Sequence, residues 1–236
     1  MTKPDIQGFF DESTNTISYV VRDSSSTACA VVDSVLDFDA ASGRTSTAFA
    51  DQIITYVKAH DLTVEWILET HVHADHLSAA PFIQQALGGK IGIGANITIV
   101  QGIFGKIFNA GSEFERDGSQ FDRLFRDGDA YRLGGMTCLA MHTPGHTPGS
   151  LCLYRPEGQV LFSGDLLVHS RRFSTRSDVR FSIPQFSVAP DAVPDAARRL
   201  LDLPIEVLCC GHGEPITTAA GERIRRLLNR SSPRAG

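Results

Sequence analysis

The sequence predicts an α/β (α+β) fold in which mixed β-sheets are covered by helices. Short runs rich in β-branched and aromatic residues occur in both halves of the chain, and amphipathic helical patterns lie between and after them. Polar turn residues separate these runs, and no internal repeat or linker interrupts them. We therefore interpret residues 1–236 as a single domain, with residues 230–236 as a frayed tail.

The first half of the chain alternates strands and helices. The strand predictions are "TISYVVRD" (16–23), "ACAVVDSV" (28–35), "VEWILET" (64–70) and "KIGIG" (90–94). The helix predictions are "STAFADQIITYVKAH" (46–60), with Ser46 or Thr47 as its N-cap, "APFIQQALG" (80–88), ending at Gly88, and "ITIVQGIFGKIFN" (97–109).

The second half repeats this alternation and ends on an amphipathic helix. Strands are predicted at 136–143, 150–156, 159–165 and 205–211, and helices at 191–203 and 217–230. The five cysteines form no C-x-x-C pair and lie in apolar runs, which indicates buried, reduced thiols. Cys209 and Cys210 are neighbours in a predicted strand, so their side chains should point to opposite faces.

Composition argues against several classes of protein. A net charge of −5 disfavours a nucleic-acid-binding surface, which usually needs a basic stripe. No apolar run approaches the roughly 20 residues that cross a bilayer, and the start "MTKPDIQGFFDEST" lacks the apolar stretch of a signal peptide. The expected location is the cytoplasm, with no membrane or nucleic-acid partner.

The stretch "HVHADH" places His71, His73, Asp75 and His76 within six residues, directly after a predicted buried strand. Short histidine-dense tracts usually bind metal, although a polar loop that happens to be rich in histidine is the alternative. Because residues i and i+2 point the same way in an extended segment, His71 and His73 could face one ion. Asp75 and His76 could then turn toward a neighbouring ion.

Three further candidates follow predicted strands or turns. His146 lies in the Gly/Pro-rich turn "HTPGHTPGS", Asp165 follows the strand of "LFSGDLL", and His212 follows the strand of "LCCGHGEP". An aspartate after a glycine is usually a turn former. The recurrence of His or Asp at several strand ends favours a shared metal site.

The order and spacing of these seven residues resemble the metallo-β-lactamase superfamily. The resemblance implies an αββα sandwich of two mixed sheets flanked by helices, with the metals at one edge of the sheets. It implies a first site from His71, His73 and His146. A second site would use Asp75, His76 and His212, with Asp165 able to bridge both ions.

Residues 8–165 also resemble the bacterial persulfide dioxygenases, a branch close to glyoxalase II, through segments such as "TVEWILETHVHADHLSAAP" and "GSQFDRLFRDGD". That resemblance implies one Fe(II) per chain, held by His71, His146 and Asp165. It implies O2 and a low-molecular-weight persulfide, most often that of glutathione, as substrates, and sulfite and thiol as products. Dimers are common in such enzymes, so a homodimer is the candidate assembly.

The segment after the metal aspartate departs from that branch. Its loop, residues 166–190, carries a basic run in which Arg171 and Arg172 are candidate contacts for a substrate carboxylate, since guanidinium pairs with carboxylate bidentately. Two alternatives therefore stay open. One is a metal-dependent hydrolase of the glyoxalase II type with one or two Zn²⁺, in which Asp75 orients the attacking water. The other is a metal-bound protein without turnover.

Overall fold

The computed structural model describes residues 3–72, 75–169, 179–182 and 191–231 of the chain. Five α-helices occur in these ranges, together with a 3-10 turn at Arg199–Asp202. The helices are α1 Ala48–Ala59, α2 Ala80–Leu87, α3 Ile97–Ile107, α4 Ala192–Arg198 and α5 Ala220–Ser231. The strands, in chain order, are β1 Asp5–Asp11, β2 Thr16–Arg22, β3 Ala28–Val32, β4 Val35–Asp39, β5 Arg44–Ser46, β6 Thr63–Leu68, β7 Leu77–Ser78, β8 Lys90–Gly94, β9 Arg123–Phe125, β10 Ala130–Leu133, β11 Met136–His142, β12 Leu151–Arg155, β13 Val160–Gly164, β14 Leu167–Val168, β15 Arg180–Phe181 and β16 Val207–Cys210.

Two large mixed sheets form the centre of the fold. The first has the strand order β1-β2-β3-β6-β8-β9 and the second the order β10-β11-β12-β13-β16. Two small sheets, β5-β4-β7 and β14-β15, lie beside them. The pairs β3–β6, β6–β8, β8–β9 and β13–β16 are parallel, whereas the hairpin-connected pairs of both large sheets are antiparallel.

Three apolar clusters define the layers. The inner cluster lies between the two large sheets and contains Tyr19 and Leu68 from the first and Leu153 and Phe162 from the second. A second cluster packs α1 and α2 on the outer face of the first sheet, and a third packs α4 and α5 on the outer face of the second. The order of layers is helix, sheet, sheet, helix, so the predicted αββα sandwich is confirmed.

The two sheets meet at the edge where their parallel strands end. Ile17 N donates to Gly211 O at 2.8 Å, and the Tyr19 hydroxyl donates to Cys210 O at 2.7 Å, which joins the start of β2 to the end of β16. On the other side, Leu151 N donates to Thr70 O at 2.8 Å, two residues beyond β6. The carboxyl ends of β6, β13 and β16 therefore converge on one edge.

The predicted elements are present, with four corrections. The predicted strand 28–35 is interrupted at Asp33, which adopts a left-handed conformation (φ 52°), so that β3 and β4 enter different sheets. Strand β1 was not predicted, because it is a largely exposed edge strand without clear alternation, and the short strands β5, β7, β9, β10, β14 and β15 were not predicted either. Helix 191–203 divides into α4 and a 3-10 turn. Helix α5 runs to Ser231, two residues into the segment predicted as a tail, and residues 232–236 lie outside the described ranges.

Caps and cysteines follow the sequence with one difference. Thr47 is the N-cap residue of α1, but its hydroxyl donates to Asp51, and the carboxylate of Asp37 accepts the Phe49 N–H instead, at 3.0 Å. All five cysteines are free and buried, as predicted. Cys209 faces the inner cluster and Cys210 the outer one, and burial raises the pKa of the Cys210 thiol to about 12. Among the described residues, no helix combines the length and apolar character needed to cross a membrane.

Candidate metal centre

Four of the predicted site residues lie at the edge where the two large sheets meet. His71 follows β6 of the first sheet, while Asp165 follows β13 and His212 follows β16 of the second. His146 comes from the loop between β11 and β12. Each side chain is thus placed by a buried strand or by a short loop between two strands, which limits its freedom.

The donor atoms of three of these residues form one compact group. Ligand atoms of His71, His146 and Asp165 all lie within 4.8 Å of one another. Asp165 Oδ2 is 3.6 Å from His146 Nε2 and 4.0 Å from His71 Nε2. The two imidazole rings meet edge to face, with centroids 4.7 Å apart. His71 and Asp165 are both buried, at 2% and 7% exposure.

This donor set suits a transition-metal ion. Two donors bound to the same ion at about 2.1 Å are separated by roughly 3–3.5 Å, and the observed 3.6 and 4.0 Å from Asp165 to the two imidazoles are longer, so small side-chain movements would bring these donors onto one ion. Imidazole nitrogen and carboxylate oxygen are ligands that both zinc and iron accept in proteins. A buried carboxylate facing imidazoles is also the electrostatic environment in which a cation is stabilised. The residues present therefore fit the metal that the predicted family implies.

Hydrogen bonds at Nδ1 orient the imidazoles with Nε2 toward this group. His146 Nδ1 lies 3.3 Å from Ser182 O, and His212 Nδ1 lies 2.9 Å from Asn15 O. A carbonyl oxygen only accepts, so each Nδ1 carries a proton; in a neutral His146 this leaves the lone pair on Nε2. This is the tautomer that a metal ligand requires, and such outer partners are typical of metal-bound histidines.

His71 is oriented by a relay that the sequence analysis missed. Thr70 Oγ1 donates to Asp33 Oδ2 at 2.8 Å and lies 3.0 Å from His71 Nδ1, and Thr70 N donates to Asp33 Oδ1 at 2.7 Å. Because the hydroxyl proton is directed at the carboxylate, the oxygen accepts from His71 Nδ1 and again leaves Nε2 as the donor to a metal. Asp33 also follows a buried strand, so the signal that identified Asp165 could have identified it.

Two glycines allow these groups to approach each other. Gly164 has a φ of +47°, and a Cβ there would lie 2.2 Å from Thr70 Oγ1. A Cβ on Gly211 would lie 2.4 Å from Asp165 Oδ1. Any side chain at either position would displace the relay or the carboxylate.

Asp75 and His212 continue the group on the far side of Asp165. His212 Nε2 is 3.3 Å from both Asp165 Oδ2 and Asp75 Oδ2, and Thr16 Oγ1 donates to Asp75 Oδ2 at 3.2 Å. Burial alone lowers the pKa of His212, but hydrogen bonds to Asp165 and Asp75 outweigh it and raise the pKa to about 10. The two carboxylates therefore favour positive charge at this position.

Of the remaining predicted site residues, the structure describes His76. His76 is buried, and its Nδ1 lies 3.0 Å from Leu77 O. His73, Arg171 and Arg172 lie outside the described residues. The assignment of all these side chains as metal ligands or substrate contacts stays a prediction.

Comparison with known proteins agrees with the fold. The family model for the metallo-beta-lactamase superfamily matches residues 14–212. Glyoxylase B2 of Dictyostelium discoideum is 35% identical over 232 residues, which cover 94% of this chain and 77% of that protein. A "Probable metallo-hydrolase" of Burkholderia pseudomallei is 59% identical over 146 residues, 62% of this chain and 50% of that protein. The crystal structure of ETHE1 from Myxococcus xanthus superposes with a TM-score of 0.68 and 21% identity, covering 98% of this chain and 92% of that one.

The fold, the clustered donors and these relatives define a metal-dependent enzyme. The chain belongs to the metallo-β-lactamase superfamily. The resemblance to this superfamily is confirmed, and a glyoxylase is among the relatives, while the likeness to ETHE1 extends to the fold. The chain spans only 34–50% of the length of the curated relatives that it matches at 43–59% identity.

Proposed function

We propose that this protein is a non-haem iron dioxygenase that oxidises a low-molecular-weight persulfide, with one Fe(II) held by His71, His146 and Asp165. The observation that carries the proposal is the compact group formed by the donor atoms of these residues, all within 4.8 Å of one another. Two histidines and one carboxylate on one face of the ion, with other positions open, is the arrangement typical of non-haem iron oxygenases.

The reaction balances without a further reductant. One persulfide, one O2 and one water give one thiol, one sulfite dianion and two protons, and the sulfur atoms together lose the four electrons that reduce O2. When bound, Fe(II) would supply the one-electron chemistry that O2 requires. The chain's own residues orient the metal donors. Thr70 and Ser182 fix the imidazoles of His71 and His146, and burial of Asp165 limits access of water to the donor group.

In this proposal Asp75 and His212 are outer residues rather than ligands. Asp75 is engaged by Thr16 Oγ1 and by His212 Nε2, so the pair forms a polar wall beside Asp165. Such partners orient ligands and modulate their basicity.

A second candidate, a metal-dependent hydrolase, is favoured by one specific observation. His212 Nε2 lies 3.3 Å from Asp165 Oδ2 and also 3.3 Å from Asp75 Oδ2. Asp165 is therefore placed to serve two neighbouring donor groups, which is what a bridging carboxylate in a dinuclear site requires. In such a dinuclear site, Asp75 would orient a water for attack on a thioester carbonyl. A zinc ion would lower the pKa of that water so that hydroxide forms near neutral pH.

One preparation separates the candidates. The protein is purified anaerobically, its metals are counted by elemental analysis, and it is assayed with glutathione persulfide for O2 uptake and sulfite, and with a glutathione thioester for hydrolysis. We expect one iron per chain, with O2 uptake matched by sulfite. Two zinc ions with thioester cleavage would establish the hydrolase instead. Bound metal with neither activity would leave a protein without turnover.

The partners follow from this proposal: a small thiol or persulfide and O2. A homodimer, a single domain over residues 1–236 and a cytoplasmic location remain predictions from the sequence. Because the chain spans only part of several curated relatives that it matches, the activity of any longer protein that contains it is a proposal too.

A further inference from the structure

A cavity of about 630 Å³ lies directly beside the candidate metal centre. Asp75 and His76 line it from the metal-binding segment, the turn between β1 and β2 lines it from one side, and the β4–β5 hairpin, residues 35–46, lines it from the other. This volume is within the range of about 300–1,000 Å³ that is typical of small-molecule sites. His212 links Asp75 to the metal centre, because its Nε2 lies 3.3 Å from both Asp75 Oδ2 and Asp165 Oδ2.

The hairpin is connected to the metal-binding segment by main-chain pairing. Strand β7, Leu77–Ser78, begins directly after His76 and pairs antiparallel with β4, with Leu36 opposite Leu77. Strand β5 pairs with the other edge of β4. The hairpin therefore holds a defined position relative to Asp75 and His76, as the wall of a binding site must.

The hairpin offers the cavity an apolar strip. Leu36 and Phe38 are two residues apart in β4 and share a face, and Leu77 lies opposite Leu36 on that face. Phe38 is 53% exposed and Leu77 is 45% exposed, although both are large apolar side chains. All three line the cavity. An exposed apolar strip inside a cavity suits the hydrocarbon part of a ligand.

Arg44 is the one cation among the described residues that line this cavity. It lies opposite Asp39 in the hairpin, but the Asp39 carboxylate is engaged by Ala41 N at 2.9 Å and by Ser42 Oγ at 2.8 Å. Within the described part of the chain, the side chain of Arg44 makes no hydrogen bond or ion pair. Its guanidinium is thus available to pair with a carboxylate from outside the chain.

We propose that this cavity binds the non-reacting part of the substrate, with Arg44 pairing with a carboxylate and Phe38 and Leu77 contacting the hydrocarbon part. The substrate class is then a small thiol derivative that bears a carboxylate, with its sulfur directed past Asp75 toward Asp165. This inference rests on the proposed function for the identity of the reacting sulfur. It assigns specificity to the β4–β5 hairpin rather than to the basic run at Arg171 and Arg172.

The test compares Arg44→Gln and Phe38→Ala with two matched controls far from the cavity, Arg225→Gln on α5 and Phe108→Ala after α3, both exposed. With glutathione persulfide, Arg44→Gln should raise KM about tenfold, the loss expected for one charged hydrogen bond. Metal content and kcat should stay within twofold of the unsubstituted protein. Arg44→Lys should recover part of the loss, and both controls should leave KM unchanged.

A binding measurement separates this inference from the proposed function. S-methylglutathione carries the same peptide but has neither a persulfide nor a thioester, so its Kd for the metal-loaded protein is independent of turnover. Arg44→Gln should weaken this Kd about tenfold, and should have no effect on the dimethyl ester, which lacks the carboxylates. Equal affinity of Arg44→Gln and the unsubstituted protein for S-methylglutathione, or no binding at all, overturns the inference. If the predicted differences in binding were observed but the protein had no turnover, only the proposed function would be refuted.

Discussion

The relay from Asp33 through Thr70 to His71 makes a sharp prediction for Asp33→Asn. Asp33 accepts from Thr70 N at 2.7 Å and from Thr70 Oγ1 at 2.8 Å, one bond on each carboxylate oxygen. Asparagine keeps only one acceptor oxygen, so one hydrogen bond to a charged group is lost, at a cost of about 1.5–3 kcal/mol in unfolding free energy. Isothermal urea unfolding of the metal-free protein measures this directly.

The same substitution should weaken metal binding. Once the Thr70 hydroxyl no longer donates to a carboxylate, it can donate to His71 Nδ1, which moves the ring proton to Nε2 and blocks metal ligation there. Loss of such an outer partner costs roughly 10–100-fold in metal affinity. A competition titration with a metal chelator measures that change. Thr70→Val should give the same loss, whereas Thr70→Ser should retain affinity.

Asp23→Asn is the matched control. Like Asp33, Asp23 accepts one hydrogen bond or more on each carboxylate oxygen, including those from the main-chain N–H groups of Ser25 and Gly135. It lies after β2, near the start of β3, whereas Asp33 follows the end of β3. The Asp23→Asn variant should be less stable than the unsubstituted protein but should bind metal with the same affinity. If Asp33→Asn bound metal as tightly as the unsubstituted protein, the orienting role of the relay would be refuted, whatever happened to stability.

Three further predictions concern the metal donors, His212 and the hydrogen bond that Asp23 accepts from Gly135. His146→Ala and Asp165→Ala should each lose metal and turnover by more than the roughly 10–100-fold of an outer partner, and full metal content by elemental analysis would contradict the assignment. His212→Ala should leave one iron in place in a dioxygenase, with a loss of kcat/KM within the roughly 10–100-fold of an outer partner, but should remove the second metal from a dinuclear hydrolase. Hydrogen bonds from Gly135 N–H, Ser25 N–H and the Ser25 hydroxyl, in that order of size, lower the pKa of Asp23. The carboxylate therefore stabilises the fold above its unfolded pKa near 4, and this contribution is lost as pH falls. The difference in unfolding free energy between the unsubstituted protein and Asp23→Asn should shrink between about pH 5 and pH 2 in urea unfolding, and a constant difference would contradict this role of Asp23.

Most of the framework was predictable because its signals are local. The periodicities that define β2, β6 and α1 lie within a dozen residues each, and the apolar faces they imply are the ones found buried. The strand-end positions of His71 and Asp165 were also visible, since each follows an apolar run in the sequence. The fold then brings these ends to one edge through the parallel pairs.

The parts that were not predictable depend on contacts between distant residues. Asp33 and Thr70 are 37 positions apart, so their hydrogen bond could not be predicted from either local segment, although the position of Asp33 after a buried strand was visible. Strand β4 pairs with the two residues of β7, which no pattern of that length can reveal. The cavity beside Asp75 depends on both features and was invisible in the sequence for the same reason.

The origin of the donors in two sheets connects the interior to the chemistry. His71 follows the first sheet and Asp165 the second, so the 4.0 Å between their donor atoms is set by how the inner cluster packs between the sheets. Leu68 lies three residues before His71, and Phe162 lies three residues before Asp165, and both belong to that cluster. Displacing a catalytic group by about 1 Å can lower the reaction rate on the order of a hundredfold. The strand-end motif therefore identifies the donors, but close packing of residues that never touch the ion sets their spacing.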